Sequence, residues 1–519
     1  MEKTQILIAM IAYMAVVIGI GVYFAKRANK NAENYFLGGR SLGPWVAAMS
    51  AEASDMSGWL LMGLPGVAYW CGLADAAWTA IGLAIGTYVN WLIVSKRLRV
   101  YSQKAGNAIT LPDFFSNRFH EKKKVILGIA AVFILIFFAV YAASCFVTCG
   151  KLFSGLFGYS YHSMMILGAI FVLAYTLIGG FLAESVSDFM QSVVMLVALC
   201  GVVIFGVNHA GGFGAVIENA RSIDGYLSLT HLANPIVDAN GVQQVVDGAA
   251  QFGAAQPYGV LTICSMLAWG LGYFGMPQVL LRFMAIRKKE ELPMSRRIAT
   301  VWVVISLAVA VFIGFVGRAI FPYSEALATK SGAENVFAQL GELLFHPVIA
   351  GVIMAGILAA TISSSDSYLL IASSSVSQNL YKGIFKKDAS DKQVMLLTRV
   401  VLAVICVFGI IIAWDDQSVI FNVVSFAWAG FGATFGPLML FSLFWKRINT
   451  AGAIAGMLTG GIMVFVWKFL IAPVGGVFAI YELLPAFICA SIAIVAVSLA
   501  TKAPDQAIVD EFEAVAKEA

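Results

Sequence analysis

Apolar residues run along this chain in long blocks. One block, "ILIAMIAYMAVVIGIGVYFA", lies near the start, and another, "LLPAFICASIAIVAVSLA", near the end. Each suffices for a helix across a hydrocarbon core roughly 30 Å thick, which takes about 20 residues. The blocks predict thirteen membrane helices, near 5–26, 43–66, 70–95, 124–155, 160–180, 185–207, 257–280, 298–320, 347–380, 394–414, 419–445, 451–472 and 480–501. Alternating ten-residue segments, the mark of a membrane barrel, do not recur. The first block has almost no basic residues before it and no small-residue cleavage pattern after it, so it reads as a retained helix.

Two blocks are interrupted. The second contains "SAEASDMSGWLLMGLPG" (50–66) and the seventh "WGLGYFGMPQ" (269–278), each placing Gly, Ser or Pro near the bilayer middle. Breaks at matching places in two halves point to a transporter of inverted repeats, because unwound backbone can then serve ions and substrate. The repeats would cover about 43–207 and 257–445. Helices 5–26, 451–472 and 480–501 would be peripheral, with a cytoplasmic tail over 502–519. Kinks that serve packing alone are the competing reading.

Composition agrees with the blocks: 60% of residues are hydrophobic, 12% are charged, and mean hydropathy is +0.86, the profile of an integral membrane protein. The net charge of +4 matters through its placement. Lys26, Arg27, Lys30 and Arg40 follow the first block, and Lys96, Arg97, Arg99 and Lys122 to Lys124 the third. Arg287, Lys288, Lys289, Arg296 and Arg297 follow the seventh, Lys382, Lys386, Lys387 and Lys392 the ninth, and Lys446 and Arg447 the eleventh. The connections between them are poor in basic residues, with only Arg221 in 209–256 and only Lys330 in 321–346. That alternation puts the N-terminus outside and the C-terminus in the cytoplasm. The loop 208–256 is expected to be a partly helical lid over the outer vestibule. A tail this short carries no kinase or nucleotide-binding module, which disfavours a sensor or an ATP-driven pump. Seven cysteines without CxxC spacing read as packing residues, and nothing suggests nucleic-acid binding or an obligate protein partner.

Asp55 carries the strongest chemical signal, since a charge at mid-membrane costs at least ~2.5–3.5 kcal/mol on insertion scales. A bound cation offsets that cost. Glu52 lies one helical turn earlier, where it would face an aqueous vestibule, pair locally or join the site. In the ninth block, Ser363, Ser364, Ser365, Asp366 and Ser367 interrupt an apolar run. Hydroxyls and freed carbonyls suit a hard monovalent cation, although serines also bond back to the preceding turn.

The stretches "YFLGGRSLGPW", "SAEASDMSGWLLMGLPG", "IGGFLAESVSDFMQ", "WGLGYFGMPQVLLRFMAI" and "AWAGFGATFGPLMLFSLFWKR", in this order, resemble the sodium/solute symporter family from about Asn34 to Ala500. The resemblance implies an all-α polytopic membrane protein with a leucine-transporter-type core of five-plus-five inverted repeats, working by alternating access in a bacterial inner membrane. It implies no enzymatic step. Carried over by motif, the sodium ligands are the carbonyls of Ala53, Met56 and Ala360 and the hydroxyls of Ser363 and Ser364, with Asp55 nearby. Asp188 falls on the inner sodium path, and Asp188, Ser365 and Asp366 would form a second sodium site, as in some branches. The solute falls on Ser57, Gly58, Tyr141, Trp269, Tyr273 and Pro277. A half-helix start can meet a carboxylate, and the aromatics can face a pyrrolidine ring and an ammonium.

The implied activity is sodium-driven import of L-proline. The sequence departs from the family's proline-transporting pattern at Glu52, where that pattern has Gly, and at Met276 and Gln278, where it has Gln and His. Asp366 stands where a hydroxyl residue is usual. Import of another amino acid or pantothenate is the nearest alternative, and a passive ion channel the alternative of a different class.

Overall fold

The computed structural model describes residues 2–28 and 31–519, so Lys30 lies outside the described residues. Eleven helices among them are long and apolar enough to cross a membrane. Shorter apolar helices, Trp59–Cys71 and Tyr161–Leu177, occupy the two remaining predicted blocks. The segments used below are α1 (Glu2–Ala28), α2 (Pro44–Asp55), α3 (Trp59–Cys71), α4 (Leu73–Lys104), α5 (Val125–Phe157), α6 (Tyr161–Leu177) and α7 (Gly180–His209). The second half holds α8 (Val260–Leu267), α9 (Pro277–Ala285), α10 (Leu292–Ile320), α11 (Pro347–Ser374), α12 (Asp391–Ile412) and α13 (Ile420–Phe444). Then follow α14 (Thr450–Val466), α15 (Leu483–Ala500) and α16 (Gln506–Glu518). The turn between α6 and α7 passes through Gly180 at φ 64° and ψ 176°, a conformation open to glycine.

Both predicted breaks are present. Pro44 starts α2, where its missing N–H costs nothing, and the helix ends at Met56 (φ −81°, ψ 73°). Ser57 and Gly58 cross the gap before the chain resumes as a wide turn over Trp59–Gly63 and a helix over Leu64–Cys71. Gly58 permits a close crossing of α5, since a Cβ there would lie 2.4 Å from Thr148 Oγ1 and 2.9 Å from Thr148 Cβ. In the seventh block, α8 and a short turn at Trp269–Gly272 precede extended Met276, and Pro277 starts α9. The packing centres on α11, which is buried along most of its length and lies against α1, α2, α5 and the Tyr161–His209 run.

The loop after α7 contains a helix (Phe213–Arg221) and an antiparallel strand pair, β1 (His231–Pro235) with β2 (Phe252–Pro257). That loop is therefore helix plus hairpin rather than helix alone. It is tied to the corner between α3 and α4: Tyr226 donates to the Tyr69 carbonyl (2.8 Å), Leu73 N–H to the Tyr226 carbonyl (2.8 Å), and Trp78 to the Leu229 carbonyl (2.8 Å). The tail α16 is amphipathic and buries Ile508, Phe512 and Val515. Its acids reach basic residues at other helix ends, in the pairs Lys104–Glu518 (2.7 Å), Lys446–Glu513 (3.1 Å) and His120–Glu511 (2.9 Å). Exposed pairs contribute little, so the apolar face carries the docking. All seven cysteines are free.

Candidate sodium and solute site

In an unbroken α2 the Ala53 carbonyl would accept from the Ser57 N–H. Here Ser57 N–H turns back to the Asp55 carbonyl (3.0 Å), which frees Ala53 for α11. The Ala53 carbonyl accepts from Ser363 Oγ (2.8 Å) and Ser364 Oγ (3.3 Å), and Ser363 Oγ also reaches the Ala360 carbonyl (3.2 Å). Four of the five expected sodium ligands thus meet at one point between two helices, and Met56 lies at the break beside them. Carbonyl and hydroxyl oxygens with no ligand charge of their own suit a monovalent hard cation.

Asp55 joins the two breaks. Its Oδ1 accepts from Gln278 Nε2 (3.3 Å), one residue into α9, and its backbone carbonyl faces the Tyr141 hydroxyl (3.4 Å). Its Oδ2 has no hydrogen-bond partner, although the residue is completely buried. Gln278, one of the departures from the family's proline-transporting pattern, is thereby brought to the carboxylate at the first break.

The expected solute residues divide between two aromatic groups. Tyr141 stacks on Tyr368 at 4.2 Å between centroids. Trp269 lies 6.1 Å from Trp59, 5.4 Å from Phe421, 6.0 Å from Trp428 and 5.1 Å from Tyr481, and its carbonyl accepts from Trp428 Nε1 (2.8 Å). Tyr273 meets Trp428 edge-on at 5.0 Å. Ser57, Tyr141, Trp269, Tyr273 and Pro277 are all buried, so the region between the breaks is closed in this state. A cleft of about 400 Å³ reaches Trp269, Phe421 and Tyr481, and Trp59 lies buried behind Trp269. Trp59, Trp428, Tyr368 and Tyr481 escaped the sequence reading because an aromatic inside an apolar block carries no local mark.

The expected second cation site is arranged differently. Asp188 Oδ2 accepts from Ser50 Oγ (2.7 Å) and from Arg282 (3.1 Å). Arg282, fully buried on α9, also reaches Glu184 (2.5 Å), Ser50 (3.0 Å) and Ser367 (3.0 Å), and Ser367 bonds Glu184 as well. Asp366 accepts from the Ser367 N–H (2.8 Å), and Ser365 Oγ donates back to the Thr361 carbonyl (2.6 Å). Asp188 is held by a guanidinium and Ser365 is bonded within its own helix, while Asp188 Oδ1 and Asp366 Oδ2 are buried without partners. A basic residue in the apolar stretch "QVLLRFMAI" was the available signal for Arg282.

The sodium:solute symporter family profile matches residues 35–460. The chain belongs to that family. It is 42% identical to the high-affinity proline transporter PutP of Bacillus subtilis over 94% of this chain and 97% of that one. It is 42% identical to the sodium/proline symporter of Haemophilus influenzae (96% and 95% covered) and 40% identical to that of Escherichia coli (98% and 96%). Among solved structures, a Na+-coupled sialic acid symporter matches with a TM-score of 0.75 at 18% identity, covering 97% of this chain and 99% of that one. The nucleobase-cation-symport-1 transporter Mhp1 matches at 0.54 and 12% identity (93% and 99%). The fold is of the leucine-transporter type, and the family is one of transporters, not enzymes.

Proposed function

We propose that this protein is a secondary active symporter of the bacterial inner membrane that imports L-proline with sodium by alternating access. Its core repeats cover 43–207 and 257–445, with the N-terminus outside and the C-terminus in the cytoplasm. The observation that carries the reading is the Ala53 carbonyl, released by the break in α2 and met by the α11 hydroxyls of Ser363 and Ser364. A sodium ion there takes the place of those two hydrogen bonds: the hydroxyls turn their lone pairs to the ion, which ties α2 to α11. Tightening that contact orders the break at Ser57 and Gly58 beside the proline carboxylate, while Tyr141, Trp269 and Tyr273 enclose its ring. Asp55 compensates charge. Relatives at 40–42% identity that bear the names of proline transporters support the substrate. The membrane potential adds about 2.3 kcal/mol per charge per 100 mV to the sodium gradient.

Uptake of labelled L-proline into proteoliposomes tests this. Concentrative uptake under an inward sodium gradient, absent under an equal potassium gradient and competed best by unlabelled proline, is expected. Uptake that ignores sodium, or that another solute competes away more strongly than proline, overturns the coupling or the substrate respectively.

A further inference from the structure

Glu52 plays no part in the site described so far, yet it is completely buried, three residues before Asp55 in the last turn of α2. Its Oε1 accepts from Trp91 Nε1 of α4 (3.2 Å), and its Oε2 has no partner. Asp55 Oδ2 and Gln278 Oε1 meet no donor at ordinary hydrogen-bond geometry either. The Tyr273 hydroxyl lies against Asp55 and Thr87. Buried oxygens from α2, α4 and the second break therefore collect on the side of α2 that faces α4 and α9.

Two buried carboxylates in this place are either protonated or matched by positive charge. Among the described residues no ion pair reaches Glu52 or Asp55. Arg282, one turn beyond Gln278, spends its donors on Glu184, Asp188, Ser50, Ser367 and the Gln278 carbonyl. The helix termini do not make up the deficit: the α9 N-terminus offers about half a positive charge, and the α2 C-terminus adds about half a negative one. Buried charges without pairing are strongly disfavoured, whereas oxygen donors with one or two carboxylates are what a hard cation binds.

We infer that Glu52 and Asp55, with Gln278, Tyr273 and Thr87, hold a second sodium ion that is carried with the solute, on the face of α2 opposed to α4. The inference rests on the symport reading above and concerns an ion separate from the one between Ala53 and Ser363. Because Gln278 opens α9, an ion here couples the two broken helices directly, as the Ala53 site couples α2 to α11.

The test is the ratio of labelled sodium to labelled L-proline taken up by proteoliposomes containing the full chain, for the wild type, Glu52→Gln and Glu52→Gly. Glutamine keeps an acceptor for Trp91, and glycine is the residue of the family pattern. Two sodium ions per proline in the wild type and one in the variants is expected. A wild-type ratio of one, whether or not a proton accompanies it, overturns the inference while leaving sodium-coupled import standing. So does a ratio of two that survives in either variant, which would put the second ion elsewhere. If neither variant can be reconstituted, equilibrium binding of labelled sodium to them in detergent gives the same comparison, with one ion fewer per protein expected.

Discussion

Two pairs of acidic residues are buried in this membrane protein within a few turns of each other, and they are treated in opposite ways. Glu184 and Asp188 close on Arg282, which meets both at 2.5 and 3.1 Å and takes Ser50 and Ser367 into the same network. Each acid of both pairs leaves one oxygen bare, but Glu52 and Asp55 have no cationic side chain among the described residues, only the donors of Trp91 and Gln278. The first pair shares one internal cation, which offsets part of its charge and fixes α2, α7, α9 and α11 relative to one another. The second keeps its deficit for a cargo ion. A buried acid that the fold pairs with its own arginine serves structure; one left unpaired at a helix break is where transported charge can be accommodated.

The largest effect expected from breaking this contrast is on folding. Arg282→Met removes the guanidinium that binds Glu184 and Asp188 and strands two buried carboxylates, a change of the kind that costs roughly 3–5 kcal/mol. The yield of folded protein and its melting temperature in detergent should fall sharply, and Arg282→Lys should recover part of both. Asp55→Asn should do the reverse, leaving the melting temperature in sodium-free buffer unchanged or raised. The sodium concentration for half-maximal proline uptake should rise by about tenfold or more, equivalent to about 1.4 kcal/mol. A fall in melting temperature as large as that of Arg282→Met would end the distinction between the two pairs. Smaller still, Ser363→Ala should weaken sodium activation several-fold, in line with a net hydrogen-bond scale of about 1 kcal/mol. Ser364→Ala, whose hydroxyl is 3.3 Å from the Ala53 carbonyl against 2.8 Å for Ser363, should weaken it less.

Much of this was legible in the sequence, for a local reason. Apolar runs, glycine and proline at the breaks, and hydroxyls within "ISSSD" all act through neighbours a few residues away, and eleven of the thirteen predicted blocks carry helices of membrane length, with shorter helices in the other two. Boundaries drifted where helix propensity outlasts hydrophobicity: α4 runs on through the basic segment Ser95–Lys104, because Lys, Arg and Leu are good helix formers in water. The partnerships were not legible. Gln278 and Asp55 are 223 residues apart, and Arg282 and Glu184 are 98 apart. Nothing local distinguishes an aspartate such as Asp188 that will find an arginine from one such as Asp55 that will not. The same blindness left Trp59, Trp428 and Tyr481 as ordinary apolar residues until the fold stacked them around Trp269.

Linkage gives the most direct measurement of the central claim, that an ion between α2 and α11 builds the solute site. Proline affinity of the purified protein should be measured by equilibrium binding in saturating sodium and in potassium, and sodium affinity with and without proline. Sodium should tighten proline binding and proline should tighten sodium binding by the same factor, with both effects greatly reduced in Ser363→Ala. A proline affinity indifferent to sodium would contradict it.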